Sequence, residues 1–260
     1  RFDEDPVRMI RALKLCGQYG FSMADNMPKV LNDKKSGITL VSRSRLFEEL
    51  FKIVNHNKAE PILTCLQKYD ILIYFWPVLS EFWEAQEGLL ARKLMKLRAR
   101  ELEASKLGQS KTFALACVAL PFLMSALNNG NLNSFWTADS KSEAVARKAL
   151  RILFQEYQLP NFFSQRINAI CHLLPRLTIN PLSPWIFRHQ EYHHARKLLE
   201  FLIEINGWDK KLLDELPEPA KHTRRRSTRK RPTKARRSKK RIETSKPVQR
   251  KEDFFLNEDN

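Results

Sequence analysis

The chain opens Arg1-Phe2-Asp3-Glu4-Asp5-Pro6-Val7-Arg8-Met9-Ile10-Arg11, which sets carboxylates one helical turn ahead of two arginines. A guanidinium steadied by Glu4 can donate a hydrogen bond to a ring nitrogen while Asp5 accepts one from an exocyclic amine. Adenine and cytosine both present that acceptor-beside-donor edge. Guanine and uracil present a protonated ring nitrogen beside a carbonyl, so the Asp5–Arg8 pair predicts selection of A or C. The bare Glu-Asp-x-x-Arg spacing is also ordinary helix decoration, contributing ~0.2–0.5 kcal/mol per pair.

Holding those groups requires a helix. Asp3 is the expected N-cap, Glu4 and Asp5 suit the positive end of the dipole, and Pro6 is tolerated in a first turn. The pattern predicts a helix from about Glu4 to Tyr19 that stops near Gly20. Val7, Ile10, Leu13 and Cys16 mark its inner side, leaving Arg8, Arg11 and Lys14 turned toward a nucleotide. A linker containing Pro28 and Gly37 should follow. A second helix should start at Ser42 or Ser44 as a simple cap, with Leu46, Phe47, Leu50, Phe51 and Val54 inside. Arg45 and Phe47 stand where a capping box would need Glu or Gln.

Seven glycines in 260 residues, no alternating strand-like blocks and apolar positions recurring at three and four predict an all-α chain. Further helices are expected near 61–69, 87–105, 112–127, 142–158, 162–174 and 191–205, with breaks at 128–131 and 180–184. Phe75, Trp76, Phe82 and Trp83 are expected to pack in the core. The domain plan is a first helical unit at 1–60, a helical body at 61–216 and a tail at 217–260.

Charge is unevenly placed. The net charge is +17, and residues 221–251 hold sixteen Lys and Arg against one acid, Glu243. That segment, with Arg224, Arg225, Arg226, Arg229, Lys230, Arg231, Arg236, Arg237, Lys239, Lys240 and Arg241, has too few apolar residues to fold alone. It is expected to be a disordered arm that binds RNA phosphates in a salt-sensitive way. A second basic row, Arg92, Lys96 and Arg100, recurs at four-residue steps and could track a phosphate backbone, although it also fits a solvated helix face. His189 and His193 share a helix face, but no third ligand is evident, so a solvated or RNA-facing helix is expected there. Cys16, Cys65, Cys117 and Cys171 fit free thiols in a reducing cytoplasm. No apolar run reaches eighteen residues, so no membrane span or export leader is expected within these residues. No Gly-x-Ser-x-Gly, Walker loop or paired Cys-x-x-Cys occurs, which leaves independent enzymatic chemistry without a visible seat.

The string Arg1-Phe2-x-Glu4-Asp5-Pro6-x-Arg8-Met9-x-Arg11-Ala12-x-Lys14, followed by Gly20-Phe21, resembles the start of the neck in bacterial poly(A) polymerases and tRNA nucleotidyltransferases, the class II nucleotidyltransferase family. The resemblance continues through Ser44-Arg45-Leu46-Phe47-Glu48-Glu49, Leu66 to Tyr69 and Phe75-Trp76-Pro77, and returns weakly around Tyr192 to Glu204. It implies that Asp5 and Arg8 read the base of an incoming nucleotide, that Glu4 orients Arg8, and that Arg11 and Lys14 hold the nucleotide. The family usually has Arg at the position of Lys14. It further implies ATP as substrate and two Mg²⁺ ions in a head domain with a phosphate loop and an Asp-x-Asp pair. Asp3-Glu4-Asp5 has those letters, but without a preceding strand or glycine loop it is not expected to bind metal.

The chain thus reads as the neck, body and tail of a longer enzyme that adds AMP to RNA 3′ ends. A CCA-adding tRNA nucleotidyltransferase would share the first helix, and a non-catalytic helical RNA-binding adaptor would keep the fold without a head. RNA-decay factors such as a DEAD-box helicase or an endoribonuclease are the protein partners the resemblance suggests.

Overall fold

The computed structural model describes residues 2–105, 107–157, 159–179 and 182–218. These residues fall in one compact unit built of α-helices and one 3-10 turn. The helices are α1 (Val7–Tyr19), α2 (Met27–Lys34), α3 (Arg43–Val54), α4 (Ala59–Lys68), α5 (Leu72–Phe75), α6 (Pro77–Phe82) and α7 (Gln86–Glu103). They continue with α8 (Lys111–Leu127), α9 (Ser140–Leu153), α10 (Asn161–Leu177), α11 (Trp185–Arg188), α12 (Tyr192–Asn206) and α13 (Lys211–Asp214). The all-helical class is as the periodicity predicts. The basic arm of residues 221–251 lies outside the described residues.

α8 is the hub. It is apolar on every side, so it can be satisfied only by burial on every side. Twelve of its seventeen residues are buried, and α7, α9 and α10 wrap around it. The Ser110 hydroxyl caps its start by accepting from Phe113 N–H at 3.2 Å. Trp76 is fully buried between α5 and α6 and donates its indole N–H to the Leu153 carbonyl at 2.7 Å. Phe75 and Trp83 are likewise buried, and Phe82 packs at the margin of the core against Phe122.

α1 lies along α4, with Val7, Met9, Ile10 and Leu13 buried. Gly17 is the point of closest approach, since a Cβ there would sit 2.5 Å from Ile62 Cα. The helix ends as expected at Gly20, whose φ of 71° is left-handed and whose N–H returns to the Cys16 carbonyl.

Its beginning differs from expectation. Residues 2–4 form a turn and the helix starts at Val7, with Pro6 at the cap position and no side-chain cap bond. Asp3 does not cap it, because its carboxylate is taken by Lys34 Nζ at 2.8 Å. The stretch predicted to be a linker is instead mostly helical, as α2 and then the 3-10 turn Lys35–Leu40. Pro28 is accommodated at the start of α2, where its missing N–H costs nothing.

α3 also buries a different set. Phe47 and Phe51 are half-buried, whereas Glu49 is 2% exposed on the inner side. Ser42 stands at the cap position and makes no cap bond. A capping box does occur at α9, where Asp139 and Ser142 exchange bonds. It uses Ser in place of Glu or Gln at the third position, and so escapes the usual sequence signature. The predicted helix at 142–158 ends at Leu153.

Candidate nucleic-acid interface

The predicted base-reading groups do converge, with a different anchor. Arg8 is 47% exposed and lies 3.9 Å from Glu4 and 3.8 Å from Asp5. Both distances exceed a hydrogen bond, so the attraction is coulombic and neither donors nor lone pairs are spent. Asp5 is anchored instead by Arg45 of α3, whose Nη2 donates to Oδ1 at 2.9 Å. That leaves Oδ2 on the Arg8 side. Arg45 was visible only as part of a longer string. Nothing in the spacing of residues forty apart shows that it meets Asp5.

Arg11 does not face the same opening as Arg8. Both its Nε and Nη2 donate to Oε1 of Glu49, at 3.0 and 2.9 Å, and Lys52 adds a third contact to that oxygen at 2.9 Å. Burial of Glu49 raises the cost of its charge, but the bonds from Lys52 and Arg11 outweigh it and hold the carboxyl below its ordinary value of 4.5. A carboxyl so depressed contributes stability that is present above about pH 4.5 and is lost as pH falls through the lower folded value. Glu49→Gln is expected to cost about 1–2 kcal/mol at pH 7. The difference between wild type and variant should shrink as pH falls from 5 to 3. Thermal melts across that range check this, and a gap that stays constant would reject the assignment. Lys14 is half-buried and acts on His56, whose pKa is lowered by burial first and then by Lys14, Lys58 and Arg98.

The proposed phosphate row on α7 is occupied by acids from other elements. Arg92 lies 3.4 Å from Glu84 and over the Trp83 ring, Lys96 lies 3.5 Å from Glu60, and Arg100 is held in a two-pronged pair by Glu204 at 2.6 and 2.7 Å. An RNA phosphate would have to displace these partners. The longer Lys96 pair, 66% exposed on the lysine side, is the easiest to exchange. Glu191 in the histidine cluster is buried and bound by Arg166 and His194, while His189 accepts from the Glu191 backbone N–H.

Tyr19 and Phe21 form an exposed stacked pair, 59% and 63% exposed with ring centroids 5.4 Å apart. Exposed aromatics of this kind can stack unpaired bases. Phe21 lines a cleft that also takes in Lys68 of α4 and Tyr69 just beyond it. The signal in sequence was the pair of rings straddling Gly20, where the chain turns and carries no neighbour to cover them.

Asp3, Glu4 and Asp5 are engaged with Lys34, Arg8 and Arg45 respectively. Among the described residues no three His, Cys, Asp or Glu side chains converge in a way that would hold a metal ion. With each carboxylate already held by a cation, this donor set does not fit a divalent-cation centre. No described helix is long and apolar enough to cross a membrane.

Residues 20–82 match the family described as "Probable RNA and SrmB- binding site of polymerase A". The matched segment starts at the end of α1 and contains Phe21, Arg45 and Glu49. The chain is also similar to Poly(A) polymerase I of Haemophilus influenzae, 21% identical over 95 residues. That stretch is 36% of this chain and 21% of the relative, so the match spans about a fifth of that protein's length. Together they identify a portion similar to the C-terminal part of a bacterial poly(A) polymerase.

Proposed function

Because the chain carries a segment like that of bacterial poly(A) polymerases, we propose that it is the RNA-binding and base-selecting part of a polynucleotide adenylyltransferase. The observation that carries the reading is Asp5 lying between Arg8 and Arg45, of which Arg45 belongs to the matched segment. Arg8 donates to the ring-nitrogen acceptor of adenine, and Oδ2 of Asp5 accepts from its exocyclic amine. Arg45 fixes Asp5 through Oδ1, which leaves Oδ2 free to accept. Glu4 biases the Arg8 guanidinium toward the base. Arg11, tied to Glu49, sets the distance between α1 and α3, and Lys14 adds positive charge on the flank of α1.

RNA 3′ ends are the second substrate, guided by the matched segment and by the basic arm at 221–251. The reaction itself, attack of a 3′-hydroxyl on the α-phosphate of ATP, belongs to a head with Mg²⁺-binding carboxylates outside these residues. Cytoplasmic RNA processing and decay is the setting this supports. The family description names SrmB beside RNA, which supports a protein partner on this segment, such as a DEAD-box helicase or an endoribonuclease.

The test is extension of two RNAs, an unstructured oligomer and a tRNA lacking CCA, by the full-length protein with ATP and CTP separately and together. Long A-only products on the oligomer are expected. Three residues added to tRNA alone would assign CCA addition instead, since the same edge accepts C. Binding without extension of either would favour an adaptor. In the extending enzyme, Arg8→Ala is expected to reduce discrimination of ATP over GTP by about 10- to 150-fold, the worth of a charged hydrogen bond of ~1.5–3 kcal/mol. Unchanged discrimination would remove Arg8 from its role.

A further inference from the structure

A cavity of about 800 Å³ lies between α9 and α10, with Trp185 of α11 among its lining residues. None of its lining residues belongs to α1 or to the Asp5–Arg8–Arg45 group. Its size suits a nucleotide, since small-ligand pockets run to ~300–1,000 Å³.

Two features mark it as more than a gap in packing. Its wall contains Asn168 and His172, 9% and 6% exposed, whose Oδ1 and Nε2 have no hydrogen-bond partner. Buried polar atoms are rarely left so, and when they are they call for water or a ligand. Its mouth carries three guanidiniums against one acid: Arg147, Arg151 and Arg176 with Glu143. Arg147 is committed to Glu143 at 2.7 Å. Arg151 makes no ion pair among the described residues, and Arg176 lies over the Trp185 ring at 5.3 Å. Trp185 is 45% exposed, and His189 meets its edge. Water can fill such a cleft in the free protein, but it explains neither the unpaired Arg151 nor the half-exposed indole. A phosphate, a flat ring and a polar base edge, joined in one molecule, would satisfy all three.

We propose that this cleft holds one nucleotide of a single-stranded RNA, its phosphate on Arg151 and Arg176, its base on Trp185 and its polar edge toward Asn168 and His172. The proposal rests on the RNA-binding reading and adds a second place where the RNA is gripped, within the helical body. Burial lowers the pKa of His172, so its imidazole is neutral near pH 7 and can meet a base edge without a charge.

The experiment uses the full chain and a single-stranded RNA carrying 4-thiouridine, photocrosslinked and mapped by mass spectrometry, with affinities measured in parallel. Crosslinks are expected on the α10–α11 stretch around Trp185. Trp185→Ala should weaken binding about ten-fold, as loss of one base–aromatic stack does. Arg151→Ala with Arg176→Ala should lower the salt slope by about 0.7, the value for one phosphate neutralised on a single strand. Trp185 and Arg151 are exposed and Arg176 is partly so, and circular dichroism should show both variants folded. RNA binding with crosslinks elsewhere and no effect of either variant would overturn the cleft while leaving the RNA-binding reading intact. No RNA binding by the wild type would overturn both. Adenosine monophosphate that abolishes the Trp185 crosslink at concentrations matching the oligomer's affinity would assign the cleft to a free nucleotide and overturn the RNA-chain proposal.

Discussion

Arg98→Met should lower the melting temperature by about 10 °C, a cost of ~3–5 kcal/mol at ~2–4 °C per kcal/mol for a chain of this size. Arg98 sits in the second half of α7, is 1% exposed and has no carboxylate partner among the described residues. Its guanidinium instead spans the end of α3. Nη1 donates to the carbonyls of Val54 and His56, at 3.2 and 3.4 Å, and Nη2 to the Asn55 carbonyl and side chain, at 3.2 and 3.3 Å. The last carbonyls of a helix have no partner within it and carry its negative dipole end. A buried cation there replaces the water those groups would otherwise need. Methionine fills much of the volume but returns none of the bonds. Arg98→Lys should recover only part of the loss, because a point-like ammonium cannot reach both sides of the helix end as a planar fork does. A melting temperature within 2 °C of wild type for Arg98→Met would show that the bonds are replaceable by water and the account wrong.

Arg98 also shows where sequence reasoning ended. As one cation in a basic helix, it is indistinguishable by spacing from Arg92, Lys96 and Arg100, the row that fits either a phosphate track or a solvated face. Periodicity located α7 within two residues at either end, because an apolar stripe at three and four spacing is a local property of the chain. It could not show which cation the helix turns inward, since that depends on α3 ending beneath α7. The acidic residues fail in the same way. Glu49 was legible as part of Ser44 to Glu49, yet its burial with Arg11 and Lys52 is a tertiary fact. The start of the site was more legible. Asp5 and Arg8 are three residues apart, and a turn brings them together whether or not it is helical. That is why the pairing survives although the helix begins at Val7 and not at Glu4. Arg45, forty residues away, completes the group and was out of reach. The cleft at Trp185 was less legible still, being assembled from three helices whose arginines look like ordinary surface charge.

Gly17→Ala should disable base selection without touching a base-selecting residue. A Cβ at Gly17 would lie 2.5 Å from Ile62 Cα, 2.7 Å from the Pro61 carbonyl oxygen and 2.9 Å from Ile62 N. All three are backbone atoms of α4, so no rotamer change relieves the clash and the helices must part. Overpacking of this kind costs ~1–3 kcal/mol where a core can adjust, and the rigid neighbours here place the change at the upper end. The displacement has a direction. α1 is bound to α3 through Asp5–Arg45 and Arg11–Glu49, so lifting it from α4 must strain or break those bonds and move Arg8 relative to Asp5. Gly20→Ala is the control. Its left-handed φ of 71° makes alanine unfavourable by about 1 kcal/mol, but nothing lies within 4 Å of the added methyl. It should therefore lose stability with α1 in place. In the full-length enzyme, Gly17→Ala is expected to lower ATP-over-GTP discrimination at least ten-fold, whereas Gly20→Ala should leave it unchanged at temperatures where both variants are folded. Equal discrimination by the two would mean that α1 can shift on α4 without disturbing Asp5 and Arg8, and that the close packing of these helices serves stability alone.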